Sequence, residues 1–280
     1  MSFVLKRFAL ISNAETRMRI NSHNALSLIV GVGLGFVAVH AQAATVKNIV
    51  LVHGAWVDGS GCRPVYDILV KDGYRVTVVQ EPLTGFADDV AATKRVLAEQ
   101  DGPCILVAHS YGGSVITQAG EDPHIAALVY VAAHAPDVGE DEAALGKKTP
   151  SVTQQQTGAI VKTPDGYTYL QPDIFPANFA ADLPLAQAQF EAHSQMPTAA
   201  SVFSTPLTAA AWKTKPSWGI VAGADKIINP DLERFYYERG HSHVTVLDGA
   251  SHSVYESRPK EVAAVIEDAA EHAGDRQAGK

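Results

Sequence analysis

Ser110 has the sequence surroundings of a catalytic nucleophile. The apolar stretch 104–108 predicts a strand that runs into this serine, and residues 111–120 predict a helix directly behind it. Small residues, Ala108 and Gly112, stand two positions before and after the serine, because bulky side chains would clash in so tight a turn. Such a turn lifts the hydroxyl above a sheet at the start of a helix. The alternative is a serine that only caps the helix.

Asp225 and His252 complete the set of side chains that a serine nucleophile needs. A serine hydroxyl is a weak nucleophile until a base accepts its proton, and an acid must orient that base. Asp225 follows the predicted strand 217–222, and His252 follows the predicted strand 243–247. The carboxyl ends of parallel strands meet at one sheet edge, so we expect the three side chains to come together there. Asp248, at the end of the last strand, is the second choice for the acid.

Two backbone N–H groups are expected to point to the place where the serine reacts. One belongs to Tyr111, directly after the nucleophile, and the other to Ala55, in the loop after the first strand. Gly54 lets that loop turn inward. Two N–H donors aimed at one point stabilise a negatively charged oxygen in a transition state, which makes this pair a candidate oxyanion hole. Trp56, in the same loop, is predicted either to line the substrate pocket or to pack in the core.

Alternating strands and helices must position these residues. Strands are predicted at 47–52, 74–79, 104–108, 125–132, 217–222 and 243–247, and helices at 60–72, 87–100, 111–120, 230–239 and 258–272. The strands are rich in Val, Ile and Leu without alternation, which indicates burial on both faces. The sequence therefore predicts an α/β fold with a mostly parallel central sheet and helices on both faces. Residues 136–211 carry eight prolines and interrupt the alternation, so they are interpreted as a cap inserted over the site.

Other polar residues have less direct interpretations. His134 follows the strand 125–132 at the same sheet edge, and it either faces the substrate or lies in a solvated loop. His53 is expected to bond its own loop rather than to carry a proton. The acidic run 140–142 is expected to be a solvated face of the cap. No group of His, Asp and Glu has the spacing of a metal site, so neither a metal nor another cofactor is predicted.

Length and composition fit one globular domain with a cap. The chain has 280 residues, of which 46% are hydrophobic and 19% are charged. Its formal net charge of −8 argues against nucleic acid as a partner, because phosphate binding needs a basic face. Cys62 and Cys104 fall at opposite edges of the predicted sheet, roughly 16 Å apart. That separation is too long for a disulfide, so both are expected to be unpaired thiols.

Residues 1–43 are predicted to be a secretory signal peptide. An uncharged apolar run occupies positions 25–43, follows two arginines and ends in the small-x-small pattern of a cleavage site. Cleavage there would leave a mature domain of residues 44–280 in the periplasm or outside the cell. The alternative is an uncleaved membrane anchor, for which the apolar stretch is short. Met18 is a second candidate for the start of the chain.

With these residues in place, the chain resembles the α/β-hydrolase superfamily over residues 46–273. The segments that carry the resemblance are 52–56, 108–113, 224–227 and 251–253. More narrowly, the chain is similar to the branch that holds plant methyl esterases, hydroxynitrile lyases and bacterial hydrolases of the salicylate-ester type. The lyases of that branch have a threonine and a lysine where this chain has Gly54 and Ser253. The resemblance therefore implies an esterase rather than a lyase.

The resemblance implies acyl transfer on a small-molecule ester. Ser110 would attack the ester carbonyl, His252 would take its proton, and Asp225 would orient the imidazole. Small apolar or aromatic esters are expected, because the cap contains large apolar residues. These are Phe175, Phe179, Leu183, Leu185 and Phe190.

The alternatives to an esterase are another reaction on the same scaffold, such as lyase, amidase or perhydrolase chemistry, and a ligand-binding module without turnover. No stable membrane anchor is expected, and the oligomeric state stays open.

Overall fold

The computed structural model describes residues 45–274, so the predicted signal peptide and its cleavage site lie outside the described residues. The strands are β1 Asn48–Val52, β2 Arg75–Val79, β3 Cys104–Ser110, β4 Ile125–Ala133, β5 Ile160–Lys162, β6 Tyr167–Leu170, β7 Thr198–Ala199, β8 Ser217–Ala222 and β9 His243–Leu247. The helices are α1 Arg63–Lys71, α2 Phe86–Ala98, α3 Gly112–Ala119, α4 Glu142–Lys148, α5 Val152–Gln155, α6 Phe175–Asn178, α7 Leu185–His193, α8 Pro230–Arg239, α9 Val254–Ser257 and α10 Pro259–His272.

Six parallel strands form the central sheet in the order β2-β1-β3-β4-β8-β9. Every neighbouring pair in this sheet is parallel. The four inner strands are buried along almost their whole length, whereas the two edge strands contain exposed residues. This burial explains the continuous runs of Val, Ile and Leu, because an inner strand of a parallel sheet is covered on both faces. The predicted parallel sheet is confirmed.

Helices cover both faces of this sheet, as the sequence predicted. On one face, Leu69 of α1 and Ile266 of α10 pack against a cluster that includes Ile105 of β3. On the other face, Leu97 of α2 and Leu232 of α8 belong to a second buried cluster with the opposite sides of the same strands. Successive strand residues point to opposite faces, so one apolar run supplies both clusters.

Residues 136–211, between β4 and β8, contain small elements of their own. The strands β5, β6 and β7 form an antiparallel sheet. Helices α4 and α5 precede it in the sequence, and α6 and α7 lie between β6 and β7. These elements are two to nine residues long, which is too short for hydrophobic periodicity to show. Val138 pairs with Leu207 near the two ends of this segment, so the insertion closes on itself before the chain returns to β8.

Cys62 and Cys104 are free and buried, which confirms the prediction of two unpaired thiols. Burial raises the pKa of both thiols to about 12, so neither forms a reactive thiolate at neutral pH. Within residues 45–274, no helix is long and apolar enough to cross a membrane. In the same part of the chain, no group of three or more His, Cys, Asp or Glu residues could hold a metal ion.

Candidate active site

Ser110 lies at a sharp turn between β3 and α3. It is the last residue of the strand, and the helix begins two residues later, at Gly112. The φ angle of Ser110 is +55°, a left-handed conformation that residues other than glycine rarely adopt. Such a conformation persists only where the surrounding structure enforces it, and it is frequent at functional sites.

Two glycines after Ser110 are required by close backbone contacts. A Cβ atom on Gly112 would lie 2.5 Å from the carbonyl oxygen of His53. A Cβ atom on Gly113 would lie 2.1 Å from the carbonyl oxygen of His134. Both neighbours are backbone atoms, which cannot swing aside as the end of a side chain can. The turn that carries the serine is therefore clamped between the loop after β1 and the end of β4.

Ser110, His252 and Asp225 form one chain of hydrogen bonds. His252 Nε2 lies 2.9 Å from Ser110 Oγ, and His252 Nδ1 lies 2.5 Å from Asp225 Oδ2. The three residues are 6%, 0% and 4% exposed, respectively. When the carboxylate accepts the Nδ1–H, the Nε2 atom is left free to accept the serine proton. The structure thus brings together, at the carboxyl edge of the sheet, the three residues that the sequence singled out.

Backbone amides hold the Asp225 carboxylate in place. Its Oδ1 atom accepts the N–H groups of Ile227 at 2.6 Å and Ile228 at 3.0 Å. Hydrogen bonds from backbone N–H groups stabilise the ionised form of a carboxylate. Asp248, the second choice for the acid, is exposed at the end of β9. The geometry therefore favours Asp225 over Asp248 as the partner of the histidine.

Segments of the cap hold the loop that carries His252. Ser251 donates its backbone N–H to Asp182 Oδ2 at 3.1 Å, and its hydroxyl donates to Asp182 Oδ1. Ser253 donates its N–H to the carbonyl oxygen of Phe179 at 3.0 Å. The Phe179 ring meets the imidazole of His252 edge to face, with centroids 4.6 Å apart. The imidazole is consequently fixed from the cap side by both backbone and ring contacts.

His109 supports the same loop from within the sheet. Its ring lies 4.5 Å from the ring of His252, and its Nε2–H donates to the carbonyl oxygen of His252 at 2.9 Å. Burial lowers the pKa of His109 well below its ordinary value, so its ring is neutral. Sequence reasoning missed this contact, because it joins residues 143 positions apart and has no local signal.

The loop after β1 approaches Ser110 closely. A Cβ atom on Gly54 would lie 2.7 Å from the Ser110 Cβ. His53 bonds this loop, as the sequence suggested: its Nδ1–H donates to the Gly54 carbonyl at 2.9 Å, and its Nε2 accepts the N–H of Glu81 at 3.0 Å. Burial lowers the pKa of His53, which favours the neutral imidazole that these two hydrogen bonds require. Ala55 stands in the wall of the pocket that Ser110 also lines.

Tyr111 contributes its backbone, not its phenol, to the surroundings of the serine. It is the residue before the first turn of α3, directly after Ser110. Its hydroxyl donates to Asp89 Oδ2 at 2.7 Å, and its ring packs against Phe86 in the core. The side chain therefore anchors the turn, while the position of the N–H is the one expected of an oxyanion donor.

A pocket of about 210 Å³ opens onto Ser110. The residues that line it are Ala55, Trp56, Ser110, His134, Glu142, Ala143, Thr153, Gln154, Ile160, Thr168, Phe203 and Ile227. Trp56 both lines the pocket and packs in the interior, since its indole N–H donates to Thr168 Oγ1 at 3.1 Å and its ring contacts Phe203. Both predicted positions of Trp56 are therefore correct, because its side chain lines the pocket and also packs in the interior.

The five large apolar cap residues that the sequence suggested as a lid over the site do not line this pocket. Phe175 and Phe179 are fully buried, whereas Leu185 is 64% and Phe190 is 72% exposed. The physical reason is that α7 turns its small residues inward, which leaves its large apolar side chains in solvent. The pocket wall comes from short cap elements that have no strong apolar signature.

His134 and Glu142 form the polar wall of the pocket. His134 faces the pocket rather than solvent, and its Nδ1 lies 3.1 Å from the Tyr236 hydroxyl. The expectation that the acidic run is solvated is wrong for Glu142, which is 6% exposed and accepts a hydrogen bond from Ser114 Oγ at 2.5 Å. Asp141 caps the N-terminus of α4 by accepting the N–H of Ala144, and Glu142, the first residue of the helix, points inward.

Both groups in this polar wall are uncharged at neutral pH. Burial raises the pKa of Glu142 to about 8 and lowers the pKa of His134 to about 3, the latter with a contribution from His252. The 3.4 Å contact between His134 Nε2 and Glu142 Oε2 is therefore a contact between neutral partners and not an ion pair. A substrate in this pocket meets a neutral surface.

The sheet topology, the strained turn and the hydrogen-bonded serine, histidine and aspartate together define an α/β-hydrolase architecture. Residues 49–265 match the family described as "Alpha/beta hydrolase family". Because the match covers most of the chain, the protein belongs to this family.

Solved structures share the fold. Polyneuridine aldehyde esterase has a TM-score of 0.69 at 18% identity and covers 80% of this chain and 98% of its own. A pyrethroid hydrolase from Sphingobium faniae JZ-2 has a TM-score of 0.67 at 23% identity, with 81% and 98% covered. A methylesterase from Arabidopsis has a TM-score of 0.65 at 20% identity, with 80% and 98% covered. At these identities the likeness shows the fold alone.

One relative is an esterase with higher identity over a shorter region. A carbendazim-hydrolysing esterase of Nocardioides sp. (strain SG-4G) is 35% identical over 129 residues. The alignment covers 40% of this chain and 53% of that esterase. The chain thus spans about half the length of this relative.

Proposed function

We propose that this protein is a serine hydrolase that cleaves carboxylic esters through an acyl-enzyme. The observation that carries the proposal is the buried hydrogen-bond chain from Ser110, which lines a pocket, through His252 to Asp225. A helix-capping serine needs neither a histidine at 2.9 Å nor a buried carboxylate behind it. The esterase relative and the names of the structural neighbours add support for an ester as the substrate.

The proposed reaction divides its tasks among the residues of the site. His252 Nε2 removes the proton of Ser110 as the serine oxygen attacks the ester carbonyl, and Asp225 stabilises the imidazolium that forms. The N–H groups of Ala55 and Tyr111 hold the negatively charged oxygen of the tetrahedral intermediate. The protonated imidazole then gives its proton to the leaving alcohol. Water, activated by the same imidazole, attacks the acyl-serine and releases the acid.

Small apolar or aromatic esters are the proposed substrates. Trp56, Ile160, Phe203 and Ile227 supply an apolar lining to a pocket of about 210 Å³, and apolar or aromatic groups gain most from such burial. The polar wall of the pocket is neutral at pH 7, so it offers no fixed charge to bind an ionic acyl group.

The proposed function predicts that the protein releases nitrophenol from short-chain and benzoyl nitrophenyl esters. For an ester whose acyl-serine hydrolyses more slowly than it forms, the release should begin with a burst that approaches one nitrophenol per protein chain, because acylation of the serine releases the alcohol before the acid leaves. Ser110→Ala should show neither the burst nor steady turnover. A folded wild-type protein that hydrolyses none of these esters would contradict the proposal, and a preference for charged acyl groups would contradict the proposed substrate class.

We further propose that residues 1–43 direct export to the periplasm or the medium and are then removed. The support is the order of basic, apolar and small residues before Ala44. Expression of the full chain should give a processed protein whose N-terminal sequence begins Ala-Thr-Val. A protein that stays in the cytosol at full length, or that begins at another residue, would contradict the predicted cleavage.

A further inference from the structure

Helix α8 carries a buried acid to the underside of the triad. The helix begins at Pro230, after Asn229 caps its first turn, and Glu233 lies in that first turn. The helix approaches β8 closely because residue 219 is a glycine: a Cβ atom there would lie 2.4 Å from the ring of Tyr237. This close packing places Glu233 at the end of β8, where the chain turns toward the catalytic acid.

The Glu233 carboxyl is fully enclosed and makes two kinds of contact. Its exposure is 0%, and its Oε2 atom accepts the backbone N–H of Ala222 at 2.9 Å. Its Oε1 atom meets no N–H or O–H donor among residues 45–274. The neighbouring carboxylate is that of Asp225, and Ala222, whose N–H binds Glu233, accepts the N–H of Asp225 on its own carbonyl oxygen at 3.1 Å. Two carboxyl groups form a hydrogen bond only when one of them carries a proton.

The contacts of the two groups decide which one holds the proton. Asp225 receives two backbone N–H groups on Oδ1 and faces His252 Nδ1 with Oδ2, so three donors stabilise its negative charge. Glu233 receives one backbone N–H. The proton therefore belongs on Glu233, because the better-solvated carboxylate is the one that ionises.

We propose that Glu233 is a positioning residue that, in its protonated form, donates a hydrogen bond to Asp225 and fixes the carboxylate that orients His252. The inference rests on the proposed function, in which Asp225 is the acid of the triad. It assigns a role to a buried group that the acyl-transfer steps themselves do not use.

The electrostatics of the surroundings agree with this assignment. Burial raises the pKa of Glu233 well above its ordinary value, and the charge of Asp225 raises it further. The other groups that face it are Tyr237, whose hydroxyl is held by the backbone of Ala133, and Arg234, whose charge opposes the rise only weakly. A neutral Glu233 also avoids a second negative charge beneath the imidazole.

Two substitutions at Glu233 separate hydrogen bonding from packing. Glu233→Gln keeps a donor for Asp225 and an acceptor for the Ala222 N–H, whereas Glu233→Leu removes both. We expect the leucine variant to lose roughly 10- to 100-fold in kcat with KM little changed, the size of a lost hydrogen bond to a charged group. The glutamine variant should stay within about threefold of wild type. The matched control is Glu238→Gln, an exposed acid of the same helix, which should leave kcat unchanged.

The pH profile gives a readout that a purely structural role would not change. When wild-type Glu233 loses its proton at alkaline pH, two carboxylates face each other and the hydrogen bond to Asp225 is lost, so kcat should fall. An amide does not titrate, so Glu233→Gln should keep its kcat over that alkaline range. Equal alkaline limbs in the two proteins would overturn the proposal.

Infrared spectroscopy tests the protonation state without any substrate. The difference spectrum between wild type and Glu233→Gln at neutral pH should contain the carbonyl band of one protonated carboxyl group, and the Glu238→Gln difference should lack it. Absence of that band would overturn the inference even if Glu233→Leu fails to fold. Because the band does not depend on turnover, the inference and the proposed esterase activity fail independently. A glutamine variant as slow as a folded leucine variant would also overturn it.

Discussion

Asp225→Asn is expected to slow ester hydrolysis by about 10⁴-fold while the protein stays folded. The carboxylate that accepts the Nδ1–H of His252 at 2.5 Å would be replaced by an amide. Its N–H₂ group can hold the imidazole in the wrong tautomer, with Nε2 protonated and unable to accept the serine proton. The imidazolium that forms in the transition state would also lose its neutralising charge.

Asp248→Asn is the matched control for this substitution. Asp248 also follows a late strand, and the sequence alone leaves it as a second candidate for the acid. It is exposed, so its replacement should change kcat by less than twofold. Steady-state hydrolysis of a nitrophenyl ester, with thermal unfolding to verify the fold, distinguishes the two residues. A loss of activity in Asp248→Asn, with Asp225→Asn active, would reassign the acid.

Gly113→Ala should destabilise the protein by about 3 kcal/mol, although alanine normally stabilises a helix relative to glycine. The added Cβ would lie 2.1 Å from the carbonyl oxygen of His134, so α3 must move away from the end of β4. For a domain of this size, the midpoint of thermal unfolding should fall by roughly 10 °C. Because Ser110 begins the same turn, the serine should also move away from His252, and activity should be lost.

Gly146→Ala provides the comparison within another helix, α4. A Cβ atom there would lie 2.5 Å from Nε2 of Gln154, the end of a side chain rather than backbone. Moving that side chain costs at most the hydrogen bond from the Ser151 N–H to Gln154 Oε1 at 3.0 Å, so the expected loss of stability is about 1 kcal/mol at most. Calorimetry of the two variants measures the difference, and a Gly113→Ala protein as stable as wild type would show that the close approach of α3 to β4 is misassigned.

The sequence was sufficient for the sheet and for the serine, histidine and aspartate, because their signals are local. Each residue lies within five positions of the end of a predicted strand, and a continuous apolar run indicates a strand of a parallel sheet. Chain order then gives the order of acid and base. The same local reading located the six central strands to within two residues, and the largest difference is at β3, which continues to Ser110.

The residues that sequence reasoning missed act through long-range contacts. Glu142 lies in an acidic run typical of a solvated surface, and only its contact with Ser114 of α3 reveals a buried position. Asp182 reaches the His252 loop from 69 positions away. Glu233 looks like any charged residue of an amphipathic helix until Gly219 allows the helix to approach. In each case the tertiary packing, not the local pattern, decides burial.

The cap is the part of the chain for which the sequence was least informative. Its strands and helices are too short for a periodic signal, and large apolar residues were the only guide to a lid. In the structure, Phe179 packs against the imidazole of His252, while Phe190 faces solvent. Apolar side chains predict burial in general, but they do not predict which surface they cover.

Covalent labelling of Ser110 tests the central claim most directly. A fluorophosphonate reacts only with a serine whose hydroxyl is activated by a neighbouring base. Mass spectrometry of the digested wild-type protein should find one adduct per chain, on the peptide that contains Ser110, and none after Ser110→Ala or His252→Ala. An unlabelled Ser110 in a folded protein, or a label on another residue with esterase activity intact, would contradict the proposed nucleophile.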